Sequence, residues 1–207
     1  MIHLNTNKII ITTDFSETSY LAIKHGAFLA QFTKGEVYLV HIITKHWEKF
    51  NVFTPSITLD NIEKASEAVQ QKLNELATDI KNQYGVKVTT VVNSGNPTTE
   101  IVKVAKELNA DLIVMGTHGY RSWEDLTIGS NTLKVLTKSP CPVLTMSQAV
   151  DTLGYHKIIL PIDTSEHSRH KVVLTLKLAK QFASHVYAVG LLADDEASKK
   201  PAMEVML

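Results

Sequence analysis

Cysteine is nearly absent: Cys141 is the only one in 207 residues. No internal disulfide framework can form, and such usage fits a reducing compartment. Net charge is absent too, because 21 Lys+Arg balance 21 Asp+Glu. A chain this neutral has no general attraction for nucleic acid or an anionic membrane surface, so any basic site has to be local. No apolar stretch approaches the ~20 residues that span a bilayer. Met1–Lys8 also lacks the charged start and apolar run of a secretory signal. These absences give the expectation of a cytoplasmic protein with no nucleic-acid or membrane partner. Nor is there a Gly-Lys-Ser/Thr phosphate loop or a Gly-x-Gly-x-x-Gly fingerprint, and the nine histidines show no metal-ligand spacing. With 44% hydrophobic and 20% charged residues, the composition is that of a globular protein, not of a disordered or fibrous one.

What is present is an alternation of short apolar runs and helical patterns. Lys8–Thr13 (KIIITT) is apolar at successive positions, as in a parallel strand buried on both faces. Ser16 is placed to cap a helix on which Leu21, His25, Phe28 and Phe32 form one face, with Gly35 as its stop. Val37–Ile43 is a second strand. Ile62, Ala65, Val69, Leu73, Leu76 and Ile80 mark a long amphipathic helix closed near Gly85, and Val86–Val92 is a third strand. Asn96-Pro97 opens a helix carrying Ile101, Val102, Ala105 and Leu108. Asp111–Met115, Asn131–Lys138 and Pro142–Met146 then read as strand, helix and strand. Five strands joined by helices predict a parallel sheet covered on both faces. Ligands on such sheets bind beyond the carboxyl ends of the strands, where the order reverses.

The opening repeats. Lys8–Ser19 returns as Lys157–Ser168 with seven of twelve positions identical, Gln31-Phe32 as Gln181-Phe182, and Val37–Val40 as Val186–Val189. The organisation expected is a domain over 1–147, a linker over 148–154 and the start of a second copy over 155–207. The second stretch is long enough for strand, helix and strand only. Either the reading frame is cut short, or a half-domain leans on the first domain or on a second chain. A unit of that size cannot bury both faces of its strands alone.

Chemistry concentrates after the fourth strand, in Gly116-Thr117-His118-Gly119, nine further residues, and Gly129-Ser130-Asn131 at a helix start. Glycines at 116 and 119 let backbone N–H groups approach phosphate oxygens. Gly129-Ser130 offers N–H groups at a helix N-terminus, where the dipole favours anions. Spacing alone reads as a tight turn more often than as a ligand site; the position directly after a buried strand, with a second glycine at a helix start, favours a site.

Gly-x2-Gly-x9-Gly-Ser, with Asp14 ending the first strand and Ser139-Pro140-Cys141-Pro142-Val143 leading into the fifth, resembles the universal stress protein family, in its tandem type and its ATP-binding-motif subclass. The resemblance covers 8–147 fully and 155–192 as the opening of a second repeat. It implies a flavodoxin-like (adenine nucleotide alpha hydrolase-like) α/β domain with strand order 3-2-1-4-5. It also implies an adenine nucleotide (ATP or AMP) bound by a regulatory or sensor module of the stress response, with magnesium accompanying a triphosphate. Carried over position by position, Asp14 sits near the nucleoside, with Thr12 and Thr13 lining the approach. Ile42 offers backbone hydrogen bonds to adenine, and Met115 and Gly116 flank the ribose. His118, Gly119, Gly129, Ser130, Asn131 and Thr132 contact the phosphates. No residue is assigned a catalytic role or a protein-held metal.

The family's edge strand pairs across a two-fold, which implies a homodimer through 142–146. Thr12 stands where proline is common, although Pro161 keeps it in the second copy. Glu124 and Asp125 in the glycine loop, with only Arg121 basic, weigh against tight polyphosphate binding. Two rivals remain: a slow ATPase or phosphotransferase using His118 and Arg121, and a nucleotide-free dimeric interaction module. Asp14 reads as a ligand-orienting carboxylate, His25 and His41 as core or boundary histidines, and Cys141 as structural. Trp47 and Trp123 could cover a ligand or bury themselves.

Overall fold

The computed structural model describes residues 7–44, 61–117, 129–147, 152–163 and 165–191, the side chains of 61–65 and 166–170 excepted. Twelve elements are present among them: β1 (Lys8–Thr12), α1 (Glu17–Thr33), β2 (Glu36–Ile43), α2 (Asn61–Tyr84), β3 (Lys87–Ser94), α3 (Pro97–Leu108), β4 (Leu112–Gly116), α4 (Ser130–Lys138), β5 (Val143–Met146), β6 (Lys157–Ile162), α5 (Glu166–Phe182) and β7 (His185–Gly190). They fall into two compact units, Asn5–Asp151 and a unit containing Thr152–Leu207.

In the first unit all strands are parallel, in the order β3-β2-β1-β4-β5. This is the flavodoxin-like arrangement expected from the sequence. Ile9, Ile10 and Ile11 of β1 are each 0% exposed, so the central strand is buried on both faces. Helices α1 and α2 pack on one face of the sheet, and α3 and α4 on the other. Ile10 and Val40 meet Ile101, Val104, Ala105, Ile113, Met115 and Val135 in the core beneath α3 and α4. Burial on this scale is the main stabilising term of such a layer.

The buried face of α1 differs from the line Leu21–His25–Phe28–Phe32. It is made of Ser19, Ala22, Ile23, His25, Gly26, Ala27, Leu29 and Ala30, while Phe32 is 45% exposed. The reason is distance. A Cβ on Gly26 would stand 2.6 Å from Cδ1 of Ile11, so the helix lies on the sheet through small residues and its phenylalanines are turned to the rim. The helix also stops one residue earlier than Gly35: Lys34 takes the left-handed conformation (φ 57°) and Gly35 N–H donates to the Ala30 carbonyl. Glu36 N–H already donates to the Asn7 carbonyl in the sheet, so the reversal has to be complete before it.

The second unit repeats the first strand pair in detail. Strands β6 and β7 are parallel with Lys157 opposite His185, the register of Lys8 opposite Glu36. Helix α5 also ends on a left-handed residue, Ala183 (φ 49°). Leu160 and Ile162 are buried with Val172 packed against them. The opposite sheet face is open: Ile159 is 72% exposed and Tyr187 51%. Their counterparts Ile10 and Tyr38 lie beneath α3 in the first unit.

The close contact of α1 with β1 yields a test. Alanine is a better helix former than glycine by ~1 kcal/mol, yet Gly26→Ala should lower stability by about 1 kcal/mol, because overpacking outweighs propensity. Ile11→Val in the same chain, which removes the clashing methyl, should recover part of the loss in urea denaturation.

Candidate functional site

The sequence placed the site at the carboxyl ends of β1, β2 and β4, and the chain is locally irregular there. After β1 the backbone turns into α1 through Asp14-Phe15-Ser16. Asp14 Oδ1 accepts from the N–H and hydroxyl of Ser16, and Ser16 caps α1, its hydroxyl oxygen accepting from Ser19 N–H. Asp14 itself remains exposed. Phe15 has a φ of 65°, an unusual conformation for a bulky residue. It is held by its N–H donating to Thr13 Oγ1 at 3.0 Å and by a stack on the His41 ring, centroids 4.8 Å apart. The Lys72 ammonium lies 4.4 Å from the centroid of the Phe15 ring. The Thr13 hydroxyl also pairs with Ser19 Oγ at 2.9 Å. Thr13 therefore builds the turn with its side chain.

The His41 ring is buried, and its Nδ1 lies 2.8 Å from the Thr13 carbonyl oxygen. A carbonyl only accepts, so Nδ1 carries the proton. Burial holds the imidazole below its ordinary value, with Lys72 adding to the effect and the Thr13 bond and Asp14 opposing it. The ring is neutral near neutral pH.

Strand β1 ends at Thr12, which pairs with Val40 in β2. The Thr13 N–H still donates to the Val40 carbonyl. Peptide groups alternate sides along a strand, so the N–H and C=O of Ile42 point the way Val40's carbonyl does, past the end of β1. Thr12 and Ile42 follow Ile10 and Val40 by two residues and share the face covered by α3. Met115 is 5% exposed and belongs to the core on that face.

Gly116 and Gly129 are both required by close packing. A Cβ on Gly116 would stand 2.8 Å from Thr18 Oγ1 of α1, and one on Gly129 2.5 Å from the Thr117 carbonyl oxygen. Gly129 N–H donates to that same carbonyl, closing residues 117 and 129 onto each other. Gly129 is the N-cap residue of α4 and supplies no side-chain hydrogen bond to the first turn. The caps of α1 and α3, Ser16 and Asn96, both do. Ser130 and Asn131 are exposed in that first turn. The Thr132 hydroxyl lies 3.1 Å from the Gly116 carbonyl and 3.4 Å from that of Thr117, so it braces the turn.

Thr12, Thr13, Asp14, Ile42, Met115, Gly116, Gly129, Ser130, Asn131 and Thr132 are thus gathered at one end of one sheet. His118, Gly119, Arg121, Trp123, Glu124 and Asp125 lie outside the described residues, as does Trp47. Sequence reading missed Phe15 and the bond from His41 to Thr13. It also missed Thr98, the first inward residue of α3, which is 3% exposed with its hydroxyl unpartnered among the described residues. Only the position of His41, two residues after Leu39 and so on the α1 face of β2, hinted at any of these. Among the described residues no group of three His, Cys, Asp or Glu could hold a metal ion, and no helix is long and apolar enough to cross a membrane. Burial raises the Cys141 thiol, and Ser139 is bonded to its backbone, in keeping with a structural role.

A parallel sheet of this order, covered by helices on both faces, defines an open, doubly wound α/β domain. Residues 5–146 match the family described as the Universal stress protein family, and the chain belongs to that family. A similar relative is the universal stress protein MJ0577 of Methanocaldococcus jannaschii, 33% identical over 153 residues, covering 68% of this chain and 94% of its own. The solved structure of MJ0577 superposes with a TM-score of 0.58 at 31% identity, covering 70% of this chain and 98% of that one. A universal stress protein from Archaeoglobus fulgidus shares the fold over 99% of this chain and 73% of its own, with a TM-score of 0.75 at 20% identity. A universal stress protein in complex with cAMP has a TM-score of 0.52 at 18% identity, covering 70% of this chain and 99% of that one.

The buried, neutral His41 makes stability depend on pH. An unfolded chain takes up the imidazole proton near the ordinary value of 6.5, the folded protein only at lower pH. Between those values the unfolded state holds more protons, so stability falls as pH drops. Thermal melts from about pH 7 to about pH 5 should fall more steeply for wild type than for His41→Asn. Parallel curves would contradict the burial argument.

Proposed function

We propose that this chain binds an adenine nucleotide, ATP or AMP, as a regulatory or sensor module of the stress response in the cytoplasm. The observation that carries the reading is the first turn of α4. Its N-cap Gly129 offers no side chain to the turn's N–H groups, at the carboxyl end of the sheet and beside the Gly116 turn. Such a terminus suits phosphate, because unbonded N–H groups and the helix dipole both favour an anion. Ser130, Asn131 and the backbone of Thr132 would serve the phosphates, together with His118 and Gly119. Gly116 and Met115 would flank the ribose. Thr12, Thr13 and Asp14 would border the nucleoside, and the Ile42 backbone would read the base. Family membership and the cAMP complex of a neighbour of the same fold support a nucleotide.

Magnesium would arrive with a triphosphate. Asp14 is the one carboxylate among these site residues, so the ion would be held chiefly by phosphate oxygens. Binding with readout, as opposed to turnover, is the proposed mode, and none of these residues is assigned to catalysis.

The test is direct. Freshly purified protein is denatured and the released small molecules are identified by chromatography and mass. Adenine nucleotide is expected in the wild type and should be missing from Gly129→Ala, whose Cβ would collide with the Thr117 carbonyl. A wild type that releases none, and whose melting temperature ATP with magnesium does not raise, would overturn the reading.

Residues 1–147 would form the complete domain and 155–207 the opening of a tandem copy. The expected assembly is a homodimer through β5, which lies at the sheet edge. Met146 turns its carbonyl to β4, where it accepts from Thr117 N–H. Thr145 therefore turns its N–H outward, available to a second chain. Thr145→Pro removes that donor at a position an edge strand tolerates. It should halve the gel-filtration mass with little loss of melting temperature. A wild type that elutes at the mass of one chain would refute the dimer.

A further inference from the structure

The two units carry the same strand pair, and they part company at one rung. In the second unit the ladder runs on past β7: Leu191 N–H donates to the Ile162 carbonyl at 2.7 Å. In the repeat Leu191 corresponds to Ile42, and Ile162 to Thr13. The equivalent bond, from Ile42 N–H to the Thr13 carbonyl, is absent among the described residues. That carbonyl instead accepts from His41 Nδ1 at 2.8 Å.

The side chain beside that rung differs between the units. Gly190 stands in the second unit where His41 stands in the first, and glycine has no ring to offer. Ile11 faces α1, as its contact with Gly26 shows, and Leu39 lies opposite Ile11 in register. His41 is two residues beyond Leu39 and so reaches the Thr13 carbonyl from that same face. The ring is fixed there by its stack on Phe15.

We propose that His41 is a positioning residue for base recognition, taking the Thr13 carbonyl out of the β1–β2 ladder so that the Ile42 peptide edge is left to a purine base. This rests on the nucleotide reading above. The edge carries one donor and one acceptor side by side, complementary to the adjacent ring nitrogen and amino group of adenine. Without the ring, the carbonyl would recapture the Ile42 N–H, as its counterpart does in the second unit. The inference concerns the backbone of residue 42, which side-chain substitutions of Ile42 other than proline leave in place, whereas changing His41 can close it.

Three variants and two probes separate positioning from mere support. With AMP as ligand, His41→Val should weaken binding about tenfold, the worth of roughly one hydrogen bond. His41→Asn, which keeps a donor at the Nδ1 position, should stay within about threefold of wild type. Ribose 5-phosphate, which lacks the base, should bind wild type and His41→Val alike. In ligand-free protein, hydrogen exchange at the Ile42 amide should be fast in wild type and in His41→Asn, and slow in His41→Val and His41→Gly as the rung re-forms. Equal AMP affinity in wild type and His41→Val would overturn the proposal. So would equal losses for AMP and ribose 5-phosphate in both His41→Val and His41→Asn, which mark a merely structural role. A wild type that binds neither AMP nor ATP sinks the nucleotide reading itself. The amide measurement then still decides whether His41 ends the ladder, and equal protection in all the variants would show that it does not.

Discussion

Strand β1 has to be covered on both faces, and the rest of the first unit follows from that need. Ile9, Ile10 and Ile11 occupy successive positions and are fully buried, so one helix layer cannot satisfy them. Helices α1 and α2 take one face, and α3 and α4 the other. Right-handed crossovers to opposite faces then leave β1 and β4 side by side, where the strand order reverses. The meeting of the Asp14 turn with Gly116 and Gly129 at their carboxyl ends is a by-product of burying three isoleucines. Each described residue discussed as a ligand contact owes its position to this arrangement.

At the carboxyl end of the sheet, packing and chemistry ask for the same residues. Gly116 and Gly129 look like phosphate-loop glycines in sequence, yet each also stands where a Cβ would strike Thr18 or the Thr117 carbonyl. Thr132 looks like a phosphate donor, yet its hydroxyl braces the carbonyls of Gly116 and Thr117. Phe15 holds a strained backbone at the turn after β1, where hydrogen bonding from Thr13 and stacking on His41 compensate it. Backbone groups at this end of the sheet are held in place by such braces.

The second unit separates local from tertiary determinants. Its Asp163–Ser165 hydrogen bond, its strand register and its left-handed helix end all match those of the first unit. These follow from short-range sequence and recur wherever it recurs. Burial does not recur: Ile159 and Tyr187 are exposed although they repeat Ile10 and Tyr38. The same side chains are core or surface according to whether an α3 lies above them.

That contrast sets the limits of what could be read from residues alone. The alternation of apolar runs and helical stripes determined the parallel α/β class, because a strand apolar at successive positions has to be covered twice. The glycine spacing determined which end of which strand to search, and the repeat was plain in the letters. The contact face of α1 was not legible, since its size pattern points to Leu21, Phe28 and Phe32 while close approach to β1 selects Ala22, Gly26 and Ala30. Nor was the role of His41, an ordinary residue of an apolar strand until the fold brings Thr13 within 2.8 Å of it. Periodicity and turn chemistry act over a few residues and are written in the order of the chain. Contact between β1 and β2, or between α1 and the sheet beneath it, depends on distances that exist only once the strands have paired.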